Sequence, residues 1–466
     1  MDSMQLKDLV SIHTASINPM DAPEKLFHLY SLPSFDDNRK REEVLGRQIH
    51  SNKSLVPNRC ILFNKLNVRF QRIWLIDNED ADKICSTEFL PLIVDENKID
   101  FYYCYFLLHA PSITNYLTGQ NTNTSGSHKR IDPDDFLSIE VQLPSLPEQK
   151  RIGKFLFDIE QKIIVNRQIN DYLEAMARQL YDYWFVQFDF PDENGRPYKS
   201  SGGKMVWNEK LKREIPANWR GSNICVLADI ISGGTPSKAV SEYWNGSIPF
   251  FGPTDYKGGV FQLSTEEHIT ENGLMHCASS LFDIGTIMLT ARGSIGKLVV
   301  VDTPMAMNQS CYALKSRKDE WEYLYFLTKQ LIQHLLLKGG GSVFKSITTV
   351  DIETSILCIG EGDVISHFTE VVRPAFQKIK NNSEEIERMT IEKEELLPLL
   401  MNGQVSVRPL NNHFAEWDSV LSSAFSKPKM YERSINPKNH GGDGRFPLRR
   451  SDSATARGYS SRTERV

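Results

Sequence analysis

Two stretches of the chain carry apolar residues at steps of three and four, the spacing that gathers them on one face of an α-helix. Ile152, Leu156, Ile159, Ile163, Asn166, Ile169, Leu173, Met176 and Leu180 form the first seam. Phe368, Val372, Ala375, Ile379, Asn382, Ile386, Met389, Leu396 and Leu400 form the second. The steps alternate near 3.5, as in helices that pack along one another. At ~1.5 Å per residue, about 38 residues make a rod on the order of 55 Å. Each seam holds one asparagine at a matched place, Asn166 and Asn382. A polar residue in an apolar seam weakens it but fixes register and partner. The pattern predicts an antiparallel pair; two separate amphipathic helices, each packed on its own domain, is the competing reading.

The matched asparagines belong to a longer repeat. Gln161-Lys162-Ile163 recurs as Gln377-Lys378-Ile379, an offset of about 216 residues. Ile131, Asp135 and Phe136 fall opposite Ile347, Asp351 and Ile352. With a small gap, Tyr105-Phe106-Leu107 matches Tyr325-Phe326-Leu327, and Gly126-Ser127 matches Gly341-Ser342. A repeat this long is a duplicated domain with its helix, not a solenoid of small units. The predicted organisation is a mixed α/β domain over 1–143, a long helix over 144–190, a linker over 191–215, a second mixed domain over 216–358, a second long helix over 359–403, and a disordered tail over 404–466. Within the first domain, 60–63 and 73–76 read as strands, and the aromatic-rich run 100–109 as helix or strand. The segment 191–215 has little apolar content, and the tail is rich in Ser, Arg, Gly and Pro.

Composition narrows the setting. With 40% hydrophobic and 24% charged residues, the chain is of ordinary globular type. Its seven cysteines include no C-x-x-C pair, so neither a zinc site nor a disulfide framework is indicated and a reducing cytoplasm is expected. No signal sequence or membrane-spanning apolar run is visible. The formal charge of −5 argues against a uniformly basic surface, but not against local basic patches that meet phosphate.

Several short motifs then converge. The second domain opens with Ile215-Pro216 and Trp219, followed by Gly233-Gly234-Thr235-Pro236-Ser237, Tyr243-Trp244, Gly246, Ile248-Pro249 and Asp255. Later come Arg292-Gly293-Ser294-Ile295-Gly296 and Asn308-Gln309. The first carries Ser51-Asn52-Lys53, Asn64-Lys65-Leu66-Asn67, Arg72-Ile73-Trp74 and Ser86-Thr87-Glu88-Phe89. Leu143-Pro144-Ser145-Leu146-Pro147-Glu148-Gln149 precedes the first helix, and Tyr183-Trp184-Phe185 with Phe188 follows it. In this order, over about residues 4–407, the chain resembles the specificity subunit of a Type I restriction-modification enzyme.

The resemblance implies two target recognition domains that each read half of a split, asymmetric site in double-stranded DNA. It implies that the helices form an antiparallel coiled-coil spacer and dock two modification (adenine methyltransferase) subunits, with ATP-hydrolysing restriction subunits joining the assembly. The chain itself is then non-catalytic and binds no cofactor; S-adenosylmethionine, ATP and Mg are expected in the partner subunits. Arg and Lys read guanine, and Asn and Gln read adenine, through paired hydrogen bonds. Residues of that kind beside flexible loops are Lys53, Asn64, Lys65, Arg69, Arg72, His128, Lys129 and Arg130 in the first domain. In the second they are Lys238, Lys257, Arg292, Lys297, Asn308, Gln309 and Lys345. Each is equally readable as a solvated charge or a loop residue holding its domain together. Gly233–Ser237 in particular suits a turn that shapes the domain.

This sequence departs from the family pattern in three places. The first domain has no Gly-Gly-Thr-Pro-Ser run; residues 13–18 stand there, so the two domains should read unrelated sequences. The second helix lacks a Leu-Pro-Pro-Glu-Gln style entry, having Gly360-Glu361-Gly362-Asp363 instead. The tail beyond Pro409 is not typical. Other chemistry is faintly mimicked. Asp134 with Glu148 and Lys150 has the residue types of a metal-dependent nuclease, but on a helix start where that chemistry wants a strand. Residues 292–297 mimic a phosphate loop, with Leu298 where a metal-binding Ser or Thr is needed. A self-contained nuclease and a helical scaffold that reads no DNA are the two alternatives.

Overall fold

The computed structural model describes residues 2–37, 39–119, 130–338 and 346–407. The expectations for Gly126-Ser127, Gly341-Ser342, His128, Lys129, Lys345 and the tail beyond 407 therefore lie outside the described residues.

Both domains are built on one plan. Each is closed by a short antiparallel pair, Asp2–Gln5 with Glu140–Leu143 in the first and Arg220–Ser222 with Leu357–Ile359 in the second. The sheets that follow share a strand order. In the first domain it is Val10–Ile12, Phe89–Val94, Arg59–Asn64, Ile73–Asp77. In the second it is Ala228–Ser232, Cys311–Ser316, Ile287–Thr290, Leu298–Val301, with Phe261–Gln262 added at the edge. All the shared pairings are antiparallel. A second sheet differs between them: five strands in the first domain, three in the second.

The aromatic run near residue 100 resolves as the helix Phe101–Leu108, capped by Asp100, whose side chain accepts from the Tyr103 amide. Its apolar residues are buried nearly all round, so no period marked it as helix or strand in the sequence. Trp321–Lys338 holds the matching place in the second domain.

The first long helix spans Leu146–Tyr181, with Pro147 and Glu148 in its opening turn, where a missing amide and a negative charge suit the helix end. A π-helical turn, Asp182–Val186, follows and turns Trp184 and Phe185 into the core of the second domain. The second long helix spans Gly362–Met401. The two run side by side in opposite directions. Near their middle, Asn382 Nδ2 donates to Asn170 Oδ1 at 2.9 Å and Asn166 Nδ2 to Glu385 Oε2 at 2.8 Å. The asparagines thus pair with polar groups displaced along the facing helix, Asn166 and Asn382 each being almost wholly buried.

Of the remaining seam residues, Ile163, Ile379 and Met389 are buried. Ile159, Ile169, Leu173 and Ile386 are half-buried. Met176 is not in the seam: it is 55% exposed, and neighbouring Ala177 is buried in its place. Near the exit of the first helix the buried cluster gathers aromatics of both the second domain and the second helix, Phe326 and Phe368 among them, so an alanine fits where a methionine was expected.

Each domain also closes over the far end of the other domain's helix. The first packs Leu400 and Met401 with Ile152 and Leu156; the second packs Ala177 and Tyr181 with Phe368 and Phe376. Gly153 lets the first helix approach closely: a Cβ there would lie 2.6 Å from the Tyr103 amide nitrogen.

The expected linker over 191–215 is instead structured. Met205–Asn208 and Arg213–Pro216 form a hairpin, and Phe190 stacks on Trp219 with ring centroids 5.0 Å apart. A few aromatic and apolar residues at wide intervals anchor it, which composition over the segment does not show.

Candidate nucleic-acid interface

The shared strand order makes two loops equivalent. Residues 65–72 join Arg59–Asn64 to Ile73–Asp77, and residues 291–297 join Ile287–Thr290 to Leu298–Val301. The same backbone bond pins both at their start: the Ile131 amide donates to the Lys65 carbonyl at 3.0 Å, and the Ile347 amide to the Ala291 carbonyl at 2.9 Å. The loops hold Lys65, Arg69, Arg72, Arg292 and Lys297 of the basic residues singled out above.

Asn64 is not free to read a base. It is 1% exposed; its Nδ2 donates to the Leu66 carbonyl at 2.7 Å and its Oδ1 accepts from the Arg72 amide at 2.9 Å. A buried amide with both ends satisfied is holding the loop. Thr290 does the same in the second domain, accepting from the Lys297 amide at 3.0 Å and donating to the Ser294 carbonyl. Arg72 grips Asp36 through Nε and Nη2 at 2.7 and 2.8 Å. Arg130 grips Glu88, at 2.7 Å for its closest contact, and this hydrogen-bonded guanidinium holds the Glu88 carboxyl below the usual carboxylate range. Lys65, half-buried, lies in the field of the same Glu88. Arg69 is exposed and makes no ion pair among the described residues. Beside it stands Phe70, 62% exposed. The two line an open cleft of about 580 Å³ with Arg72, Gln71, Thr114 and Asn115. Lys53 lies apart, on strand Lys53–Leu55 of the other sheet, its ammonium bonded to the Ser51 carbonyl at 3.2 Å and its pKa lowered by burial.

In the second domain, Arg292, Lys297, Asn308 and Gln309 come together. The Ala291 and Arg292 amides donate to the Ser310 carbonyl at 2.8 and 3.2 Å, binding the two loops edge to edge. Gly293 and Gly296 have φ of +75° and +81°, which only glycine adopts readily. Arg292 is exposed with no ion pair among the described residues. Lys297 is exposed, its Nζ 5.4 Å from the centre of the Tyr256 ring. Asn308 Oδ1 accepts from the Ser310 amide at 2.9 Å, and Gln309 accepts from the Thr235 hydroxyl. Lys238 and Lys257 are paired with Glu267 and Glu266, and Lys238 also sits over the Trp244 ring. Gly233 and Gly234 shape the domain: a Cβ on them would lie 2.0 Å from the Asn308 carbonyl oxygen and 2.6 Å from the Ala278 amide nitrogen. The turn therefore supports the Asn308–Gln309 loop from behind.

A polar joint between the first domain and the helices has no counterpart in the motifs or spacing described above. Glu160, 8% exposed, accepts from Arg39 Nη1 at 2.8 Å and from the Tyr105 hydroxyl at 3.1 Å, with Lys393 of the second long helix 3.8 Å away. Burial by itself raises this carboxyl, but Lys393 and Arg39 outweigh it and keep the group ionised. Arg39 lies 121 positions from Glu160, and no local pattern links them.

The chain matches the profile of the Type I restriction modification DNA specificity domain over residues 3–175 and 216–359, one match for each copy of the repeat. It belongs to that family. It is 23% identical over 403 residues to the Type I restriction enzyme HindI specificity subunit of Haemophilus influenzae, covering 76% of this chain and 88% of that one. It is 33% identical over 263 residues to the EcoR124I/EcoR124II specificity subunit of Escherichia coli, covering 53% and 57%. In fold it is similar to the crystal structure of a Type I restriction-modification system S subunit from M. genitalium, with a TM-score of 0.54 at 13% identity over 86% of this chain and 95% of that one.

Proposed function

We propose that this chain is the DNA-reading specificity subunit of a Type I restriction-modification complex, recognising a bipartite, asymmetric site. The observation that carries the reading is the pair of equivalent loops, 65–72 and 291–297, which sit on sheets of one strand order yet differ in length and in sequence. One frame with two different loops suits a protein that reads two unrelated half-sites. Arg69 in the first loop, and Arg292 with Lys297 in the second, are the cations best placed for phosphate or guanine, because none is tied to a carboxylate among the described residues. Gln309 offers a side-chain amide for adenine. Arg72, Arg130 and Lys238 serve as paired charges that shape the rim.

The antiparallel helices set the gap between the half-sites and present the surface on which two adenine methyltransferase subunits dock, with restriction subunits joining them. Methyl transfer, ATP hydrolysis and cleavage belong to those partners, with their S-adenosylmethionine, ATP and Mg; this chain holds the DNA in register. No helix among the described residues is long and apolar enough to cross a membrane. The test is methylome sequencing of cells that carry the chain with its modification subunits. A single split motif, methylated on adenine and lost when this chain alone is deleted, is expected. Methylation that persists without it, or cleavage by the purified chain alone, would overturn the reading.

A further inference from the structure

The repeat matches Tyr105 with Tyr325, and both tyrosines are almost fully buried, each on its own domain's helix. Their hydroxyls do not find matching partners. Tyr105 donates to Glu160 at 3.1 Å, and Tyr325 donates to Glu174 at 3.0 Å. Both carboxylates belong to the first long helix. The position of the second helix that matches Glu160 is Phe376, which can only pack edge-on against the Tyr325 ring, centroids 5.9 Å apart. With no acceptor there, the Tyr325 hydroxyl crosses to the other helix.

The two joints have the same chemistry. Glu160 takes a tyrosine hydroxyl and Arg39 from the first domain; Glu174 takes a tyrosine hydroxyl and Lys329 from the second. Hydrogen bonds to an ionised carboxylate are short and directional, and stronger when shielded from water. Lys393 adds a contact from the second helix to the Glu160 joint. Glu160 and Glu174 are 14 residues apart on one helix, which at ~1.5 Å per residue separates the joints by about 21 Å.

We infer that Glu160 and Glu174 are the positioning residues that lock each recognition domain to the first long helix, so that this helix fixes the gap length the protein accepts. They touch no base; they act by denying each domain the freedom to slide or tilt along the rod. The inference rests on the reading of the chain as a two-domain reader of a split site.

The experiment uses the full chain assembled with its modification subunits. Methylation is measured on duplexes carrying both half-sites at the native gap and at gaps one and two base pairs shorter or longer. Glu160→Gln and Glu174→Gln keep the shape of the side chain and remove its charge. Each should reduce discrimination between the native and altered gaps roughly tenfold, the factor that about 1.4 kcal/mol represents, while base preference within each half-site stays unchanged. Tyr105→Phe and Tyr325→Phe, which remove one hydroxyl and keep the ring, should shift gap preference the same way and decide the matter if a glutamine variant fails to assemble. Variants that assemble and unfold at a lower temperature, yet keep the wild-type gap preference, would overturn the inference by showing a purely structural joint. A wild-type complex indifferent to the gap would defeat the split-site reading itself, a result that needs no variant.

Discussion

Replacing Arg292 with alanine separates base reading from phosphate contact in the second domain. The side chain is exposed and makes no ion pair among the described residues, while its backbone is held by Ser310 and bounded by Gly293 in the left-handed region. The loop should therefore keep its shape, with folding stability changed by less than about 0.5 kcal/mol, as for surface positions without special features. A bidentate contact from Arg292 to guanine is worth ~1–3 kcal/mol of discrimination, so affinity for the cognate site should fall by roughly five- to 150-fold. Affinity for duplexes already altered in that half-site should hardly move. A contact to phosphate instead lowers affinity for all duplexes alike and reduces the slope of log K against log salt by about 0.9. Fluorescence anisotropy of the assembled complex on three duplexes (cognate, and altered in either half) at three or more salt concentrations tells these apart. Arg292 binds no DNA if all three affinities and the salt slope match wild type, and the interface drawn around residues 291–297 is then wrong.

Inserting four residues after Asn166, between Glu160 and Glu174, should lengthen the gap by one or two base pairs, since one helical turn adds roughly 5–6 Å; methylome sequencing reads the new gap, and changed half-site bases would refute the ruler. Asn64→Ala should destabilise the first domain by about 1–3 kcal/mol through the orphaned Arg72 amide and Leu66 carbonyl, seen as a lower urea midpoint rather than a selective change in base preference. His109 is lowered to about 4 by burial, so the unfolded state takes up a proton first as pH falls. Its contribution is fully present above about pH 6.5, erodes as pH drops toward 4, and amounts to on the order of 2 kcal/mol or less for a partly exposed ring; Glu160, also lowered, adds its own loss at the acid end. Urea titrations from pH 7 to 4.5 should show this decline, and His109→Gln should flatten it above pH 5. Exchanging residues 1–143 for the equivalent domain of another family member should change one half-site only, as read by methylation of duplexes with each half varied.

Much of the architecture follows from local pattern. The three-and-four spacing around Ile163 and Ile379 and the internal repeat are properties of neighbouring residues and of equal offsets, so the order of domains and helices could be read from the chain. So could the polar character of the loops that form the candidate interface, because loops between strands take polar residues whatever the fold. Which of those residues is free was decided in three dimensions. Asn64 and Arg72 have the same character on paper as Arg69, yet the first is sealed beneath the loop and the second held by Asp36, 36 positions away. The same holds for the segment 191–215, which is anchored by Tyr198 stacked on Phe190 and by Met205 and Val206 against the second domain's core rather than by a run of apolar residues. Helical period and repeat register depend on sequence separation, which the chain carries in itself. Charge pairing and burial depend on distance through space, and folding alone brought Arg39 of the first domain, Glu160 of the first helix and Lys393 of the second to one point.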